Sequence, residues 1–136
     1  MGTDIRIHME YRHRKKKQYR YAGQFYGERL GGVYHVLMGE WYEGEEKGPF
    51  PVRGLPGNVT RNVLEKYYVD KLDVIHYASW LTTEEVRICL DEASKRYSED
   101  AGGDEWLQPY EHIYSVMKDY EDAGEPCRIV FWFDNC

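Results

Sequence analysis

The chain has no long hydrophobic run, contains few cysteines and carries fewer basic than acidic residues. No apolar stretch approaches the roughly 20 residues that a membrane-spanning helix requires, so the sequence predicts no membrane partner. The three cysteines are an odd number and form no C-x-x-C pair, which favours reduced thiols in a cytoplasmic protein. With 18 Lys and Arg against 24 Asp and Glu, the formal net charge of -6 argues against nucleic acid as the partner.

Recognisable catalytic and cofactor motifs are also missing. The five histidines show no H-E-x-x-H or similar ligand spacing, which argues against a metal site. Gly31 and Gly32 lack a surrounding G-x-G-x-x-G or Walker pattern, and no G-x-S-x-G elbow occurs. We therefore expect no metal and no cofactor, and we favour a binding role over catalysis.

The first 25 residues show the pattern of a β-hairpin. Residues 4–12 alternate strictly, with Ile5, Ile7 and Met9 on one side and polar side chains on the other, which is typical of a half-buried strand. A basic run follows at residues 13–17, and the alternation resumes over residues 18–25. The sequence therefore predicts a hairpin with a basic tip.

The middle of the chain is less regular. Residues 27–44 are punctuated by glycine, and the apolar stretch within them fits either a short strand or a short helix. Asn58 or Thr60 can cap a helix that runs to about Asp70, because a side-chain oxygen there satisfies a free N–H of the first turn.

The second half contains clearer signals. Residues 74–81 are β-branched and aromatic, as strands usually are. Thr82 and Glu85 have the spacing of a capping box ahead of a helix, and Pro109 suits the first turn of another. Residues 128–133 are almost continuously apolar, which predicts a strand covered on both faces.

This order of elements predicts an α+β fold in a single domain over residues 1–136. Helices grouped between strands favour a mostly antiparallel sheet with the helices packed on one face. We expect the opening strand to pair with the closing strand, because the closing strand needs neighbours to cover it.

Four fragments resemble one family. They are MGTDI at residues 1–5, RGLP at 53–56, SWLT at 79–82 and RIVFWFDN at 128–135. They resemble a family of small bacteriophage and prophage proteins that begin MGTDI and end in a hydrophobic strand followed by FDN. The chain departs from that family at residues 27–40, where an Arg-Asn-Tyr element is replaced by Gly-Gly-Val-Tyr.

The resemblance implies a phage accessory protein in the cytoplasm of the infected host cell. Small proteins of this kind often neutralise host defences, either by blocking an effector protein or by binding a signalling nucleotide. It implies an origin and a setting for the protein, and it does not imply a particular chemistry.

Asp4, Arg53 and Asp134 form the first candidate site. If the first and last strands pair antiparallel, the two carboxylates lie at one edge of the sheet, and the Gly- and Pro-flanked loop of Arg53 can approach that edge. Two carboxylates and an arginine can support acid–base chemistry, metal binding, or the recognition of ribose and phosphate. The alternative is a structural ion pair.

Aromatic residues near element ends form the second candidate. Trp41, Tyr42 and Trp80 can hold a purine by stacking while an arginine grips its phosphate. Ordinary core packing of these rings is the alternative.

The basic hairpin tip is the third feature. Residues 1–20 contain seven Lys or Arg and two acidic residues, a net +5; because the whole chain has -6, the remainder carries -11. Such a tip can contact RNA, DNA or an acidic partner, but we favour a solvated end that discourages edge-to-edge pairing.

These observations favour a non-catalytic protein that binds and sequesters a small nucleotide-like ligand. Arg53 would contact phosphate, Trp41, Tyr42 and Trp80 would stack, and Asp4 or Asp134 would bind ribose hydroxyls. One alternative is an inhibitor that offers its acidic surface to a host defence effector. Another is a small hydrolase that uses Asp4 and Asp134. Assembly into a homo-oligomer stays open.

Overall fold

The computed structural model describes residues 3–27, 31–37, 47–72 and 75–135, which form a sheet with helices on both of its faces. Within these ranges, the elements in chain order are β1 (Thr3–Tyr11), β2 (Arg20–Gly27), α1 (Gly31–Leu37), α2 (Arg61–Asp70), β3 (Ile75–Thr82), α3 (Thr83–Ala101), a 3-10 turn (Glu105–Leu107), α4 (Gln108–Asp122) and β4 (Cys127–Asn135). No helix in these ranges is long and apolar enough to cross a membrane.

The four strands have the order β2-β1-β4-β3, and every neighbouring pair is antiparallel. β1 and β4 pair along their whole length, from Thr3 opposite Asn135 to Tyr11 opposite Cys127. The predicted α+β class, the opening hairpin and the pairing of the first and last strands are confirmed.

The main core lies on one face of the sheet. The alternate residues Ile5, Ile7 and Met9 of β1 point into it and are at most 3% exposed. Helices α1, α3 and α4 cover this face and contribute Val36, Val86, Leu90, Ile113 and Met117, among others. Removal of this apolar surface from water is the main stabilising contribution here.

A smaller apolar cluster lies on the opposite face, which we call the second face. Val63 of α2 packs there on Val130 and Trp132 of β4. The placement of helices on one face therefore holds for α1, α3 and α4, whereas α2 lies on the second face. β4 is consequently covered on both sides, as its apolar run predicts.

The polar side of β1 also faces this second cluster. His8 is 1% exposed and Glu10 is 0% exposed, so the prediction of a half-buried strand is wrong for these residues. Burial of Glu10 is compatible with its charge because Arg128 Nε donates to its Oε1 at 2.7 Å.

The local helix signals are present in the structure. Thr60 caps α2, where its Oγ1 accepts from the Val63 amide at 3.3 Å, and Thr82 and Glu85 form a complete capping box at α3. Pro109 lies in the first turn of α4. The ambiguous stretch after β2 is helical over Gly31–Leu37.

Candidate functional site

A cleft of about 640 Å³ opens where the hairpin tip between β1 and β2 meets the loop that precedes α2. Four cations and two aromatic rings line it, namely Arg12, Lys17, Arg53, Arg128, Tyr19 and Trp80. Among the residues that the structure describes, no acidic side chain lines this cleft. We call it the basic cleft.

Arginines and aromatic rings alternate along the basic cleft. The Arg12 guanidinium lies 5.8 Å from the Tyr19 ring centre, and the Arg128 guanidinium lies 3.6 Å from the same ring. Arg128 is also 6.0 Å from the Trp80 ring, and Arg53 is 4.6 Å from it. Cation–π contacts of this kind help to hold the rings in fixed positions.

Backbone contacts place the loop of Arg53 against β3. The Arg53 amide donates to Ser79 Oγ at 3.0 Å, and the Gly54 amide donates to the Ala78 carbonyl at 2.9 Å. Gly54 has a φ of 75°, a left-handed conformation that glycine adopts without steric cost. The loop is therefore fixed against the strand that holds Trp80.

The Arg53 side chain is bound to Glu85 at the start of α3. Its NH1 and NH2 groups donate to the two carboxylate oxygens of Glu85 at 2.7 and 2.5 Å, and NH1 also donates to the Trp80 carbonyl at 3.1 Å. The hydrogen bonds from Arg53 lower the pKa of Glu85, and those to Glu85 raise the pKa of Arg53. Because both arms of the guanidinium are occupied, Arg53 contributes charge and ring contact, and it has few donors left for a phosphate.

Arg128 is committed in a similar way. It pairs with Glu10, with side chains 5% and 0% exposed, and its NH1 donates to Asn58 Oδ1 at 2.9 Å. The second oxygen of Glu10 accepts from the Thr60 amide at 2.7 Å. This buried network ties the loop before α2 to the centre of the sheet.

Arg12 and Lys17 are the cations of the cleft that remain available. Arg12 NH1 donates to the Lys16 carbonyl at 3.1 Å, and the N–H groups on its other nitrogens can still donate to a ligand. Among the described residues neither Arg12 nor Lys17 has a carboxylate partner, and Lys17 is exposed. These two side chains are placed to meet an anion in the cleft.

The grouping of Arg53 with Asp4 and Asp134 is wrong. Asp4 and Asp134 are register partners in β1 and β4, and Asp134 Oδ2 accepts from Arg6 NH2 at 2.8 Å. Asp134 lies six residues along β4 from Arg128 of the basic cleft, or about 20 Å at the rise of a strand. The two carboxylates therefore belong to the other end of the sheet.

The aromatic prediction has a mixed outcome. Trp80 lines the basic cleft, whereas Trp41 and Tyr42 lie outside the described residues. Sequence reasoning did not include Tyr19 in the site. The one signal in the sequence is that Tyr19 lies just after the basic run at residues 13–17. The hairpin folds this part of the chain over the cleft.

Metal-binding clusters and cysteine thiols are the other groups that could carry chemistry. The described residues contain no cluster of three or more His, Cys, Asp or Glu side chains placed to hold a metal. Cys89 and Cys127 are buried, and burial raises the pKa of each thiol to about 12, so neither is a thiolate near neutral pH.

Fold and site together define an α+β domain with a basic, aromatic cleft at one end of an antiparallel sheet. Comparison of the chain with protein-family models, with curated proteins and with solved structures gives no match.

Proposed function

We propose that this protein binds a small phosphate-bearing ligand with a planar ring, such as a nucleotide, in the basic cleft and does not turn it over. The observation that supports this most is the composition of the cleft, where four cations and two rings are present and no acidic side chain is among the described lining residues. Its volume of about 640 Å³ is within the usual range for small-molecule sites.

The side chains divide the work in this proposal. Arg12 and Lys17 contact the phosphate, because the other two arginines already hold Glu85 and Glu10. The rings of Tyr19 and Trp80 offer flat apolar surface to the planar group. Ion pairs fix Arg53 and Arg128, and these arginines contact the two rings, so the rings lose little side-chain entropy on binding. Asp4 and Asp134 have no part in this site.

The biological role that we propose is sequestration of a nucleotide signal in the cytoplasm of an infected host cell. It rests on the resemblance to phage proteins at the two chain ends and around Arg53. Native mass spectrometry of the protein purified from defence-activated cells would reveal a co-purifying nucleotide by its mass.

An inhibitor of a host defence protein is the alternative with an observation in its favour. Acidic residues are exposed along α3 and α4, including Glu84, Asp91, Glu99, Asp119 and Asp122. A basic face of an effector could bind there by charge complementarity. The hydrolase alternative has less support, since Arg6 compensates the charge of Asp134.

Calorimetric titration tests the nucleotide proposal. The probes are AMP, ATP and a cyclic dinucleotide, with adenosine and inorganic phosphate as partial ligands. At least one nucleotide should bind more tightly than either partial ligand, because ring and phosphate are recognised together.

Matched variants test the roles of the cations. Lys17→Gln and Arg12→Gln should each weaken nucleotide binding about tenfold to a hundredfold, the value of a charge-assisted hydrogen bond. Lys15→Gln removes an exposed charge from the same hairpin tip outside the cleft, and it should bind like the wild type. Absence of nucleotide binding, or an equal loss in all three variants, would reject the site.

A further inference from the structure

A second cleft, of about 410 Å³, lies between α2 and strands β1 and β2 on the second face of the sheet. The strands contribute Arg6, His8 and Gln24 to its lining, and α2 contributes Asn62, Lys66 and Asp70. The proposed nucleotide binding makes no use of it. We call it the α2 cleft.

Two buried nitrogens at this cleft have no hydrogen-bond partner among the described residues, namely Arg6 Nε and His8 Nε2. His8 is 1% exposed, its Nδ1 is 3.1 Å from the Tyr21 hydroxyl, and its ring centre is 4.9 Å from that of Trp132. The imidazole is therefore fixed on two sides and unsatisfied only at Nε2. A buried polar atom left in this state costs free energy, so native proteins usually supply a partner for it.

The charges around the cleft restrict what that partner can be. The cations Arg6 and Lys66 are opposed by Glu65 and Asp70 of the same cleft and by Asp134, which accepts from Arg6. Glu65 also pairs with Arg61, so the positive and negative charges around the cleft balance and an anion finds no excess of cations there. A cation would offer no lone pair to the Arg6 Nε–H donor. A neutral ligand with oxygen atoms avoids both conflicts.

We propose that the α2 cleft binds a small neutral polyol, either a free monosaccharide or the ribose of a nucleoside. A hydroxyl group both donates and accepts, so it can pair with His8 Nε2 in either tautomer and can accept from Arg6 Nε. Arg6 and His8 are two residues apart on β1, so their Cα atoms are about 7 Å apart and hydroxyl groups of a single sugar ring can reach both side chains. The exposed amides of Gln24 and Asn62 supply further donors and acceptors at the rim.

Nuclear magnetic resonance of the labelled full chain tests this site. The probes are D-ribose, D-glucose, myo-inositol and adenosine. At least one should shift the His8 ring signals and the Trp132 indole N–H signal in a saturable way. The Trp106 indole, which donates to Ser98 Oγ at 2.9 Å, should stay unchanged. A response to adenosine alone assigns the site to a nucleoside, and a response to a free sugar or to inositol assigns it to free polyols.

Rim variants complete the test without disturbing the fold, since both rim amides are exposed. Asn62→Ala and Gln24→Ala should each weaken polyol binding about two- to tenfold, the value of one neutral hydrogen bond. Gln108→Ala removes an exposed amide at the start of α4 and should bind like the wild type. The inference is overturned if no probe gives a saturable shift, as when a water molecule alone fills the site. It is also overturned if both rim variants bind as tightly as the wild type.

Discussion

At the scale of single residues, the arginines of the basic cleft differ in whether a carboxylate already occupies their hydrogen-bond donors. Arg53 and Arg128 are each held by a carboxylate, whereas Arg12 donates to backbone oxygens and lies near the Tyr19 ring. Arg53 is singled out by the sequence because of its Gly- and Pro-rich loop. Its true partner, Glu85, is distant along the chain and is predicted only as a capping residue, so the pair could not be foreseen.

Arg53→Lys tests the structural role of that pair. Lysine keeps the charge but cannot form the two parallel hydrogen bonds to Glu85, so the variant should lose about 1–3 kcal/mol of unfolding free energy with or without ligand. Arg61→Lys is the matched control, because the Arg61–Glu65 pair is exposed and contributes little. Urea denaturation gives both values. Equal stability of the two variants would mean that the Arg53–Glu85 pair contributes no more to the unfolding free energy than the exposed Arg61–Glu65 pair does.

His8 predicts a specific dependence of stability on pH. Burial lowers the pKa of His8 to about 4, and nearby Lys66 acts in the same direction. An unfolded histidine has a pKa of about 6.5, so between these values the unfolded state binds more protons. The unfolding free energy should therefore fall as the pH drops from about 6.5 to 4, by about 3 kcal/mol in total from this group.

The comparison with His8→Gln isolates this contribution. The variant should show a flatter curve of unfolding free energy against pH than the wild type across the window from about 4 to 6.5. His112→Gln replaces an exposed histidine of α4 and should keep the slope of the wild type. Parallel curves for His8→Gln and the wild type would show that His8 titrates normally in the folded protein.

At the scale of elements, local patterns identified most strands and helices, and long-range packing decided the rest. The capping box of α3 and the alternation of β1 are visible in sequence because both depend on near neighbours. The expectation that all helices cover one face is wrong for α2, since an amphipathic helix does not encode which sheet face it covers. The two-faced burial of β4 was a clue, because Val130 and Trp132 need a cover opposite to that of Phe131 and Phe133.

Thr82→Ala tests the start of α3. The Thr82 hydroxyl accepts from the Glu85 amide at 3.4 Å, and its loss should cost about 0.5–2 kcal/mol of stability while nucleotide affinity stays unchanged. Ser115→Ala, at an exposed position within α4, should leave stability the same or slightly higher. A thermal melt of each variant gives the midpoint to compare with that of the wild type. An unchanged midpoint for Thr82→Ala would show that the cap does not stabilise the helix.

At the scale of the whole molecule, basic and acidic groups lie towards opposite ends of the sheet. The basic hairpin tip folds over one end and forms the basic cleft with the loop before α2, whereas Asp4 and Asp134 lie towards the other end. The charge asymmetry between residues 1–20 and the rest is visible in sequence. The sequence does not show that the hairpin tip meets Arg53 and Trp80, because that meeting depends on the ion pairs that hold the loop to the sheet.

The most direct test of the basic cleft as a ligand site is the response of the tryptophan indole signals to a nucleotide. The chain has four tryptophans, and the Trp80 signal can be assigned by its absence in Trp80→Phe. In a titration with AMP, ATP and a cyclic dinucleotide, at least one nucleotide should shift the Trp80 indole in a saturable way and leave Trp106 unchanged. If none of the three shifts Trp80, or if the only response comes from Trp132, whose ring packs on His8 of the α2 cleft, the assignment of nucleotide binding to the basic cleft is contradicted.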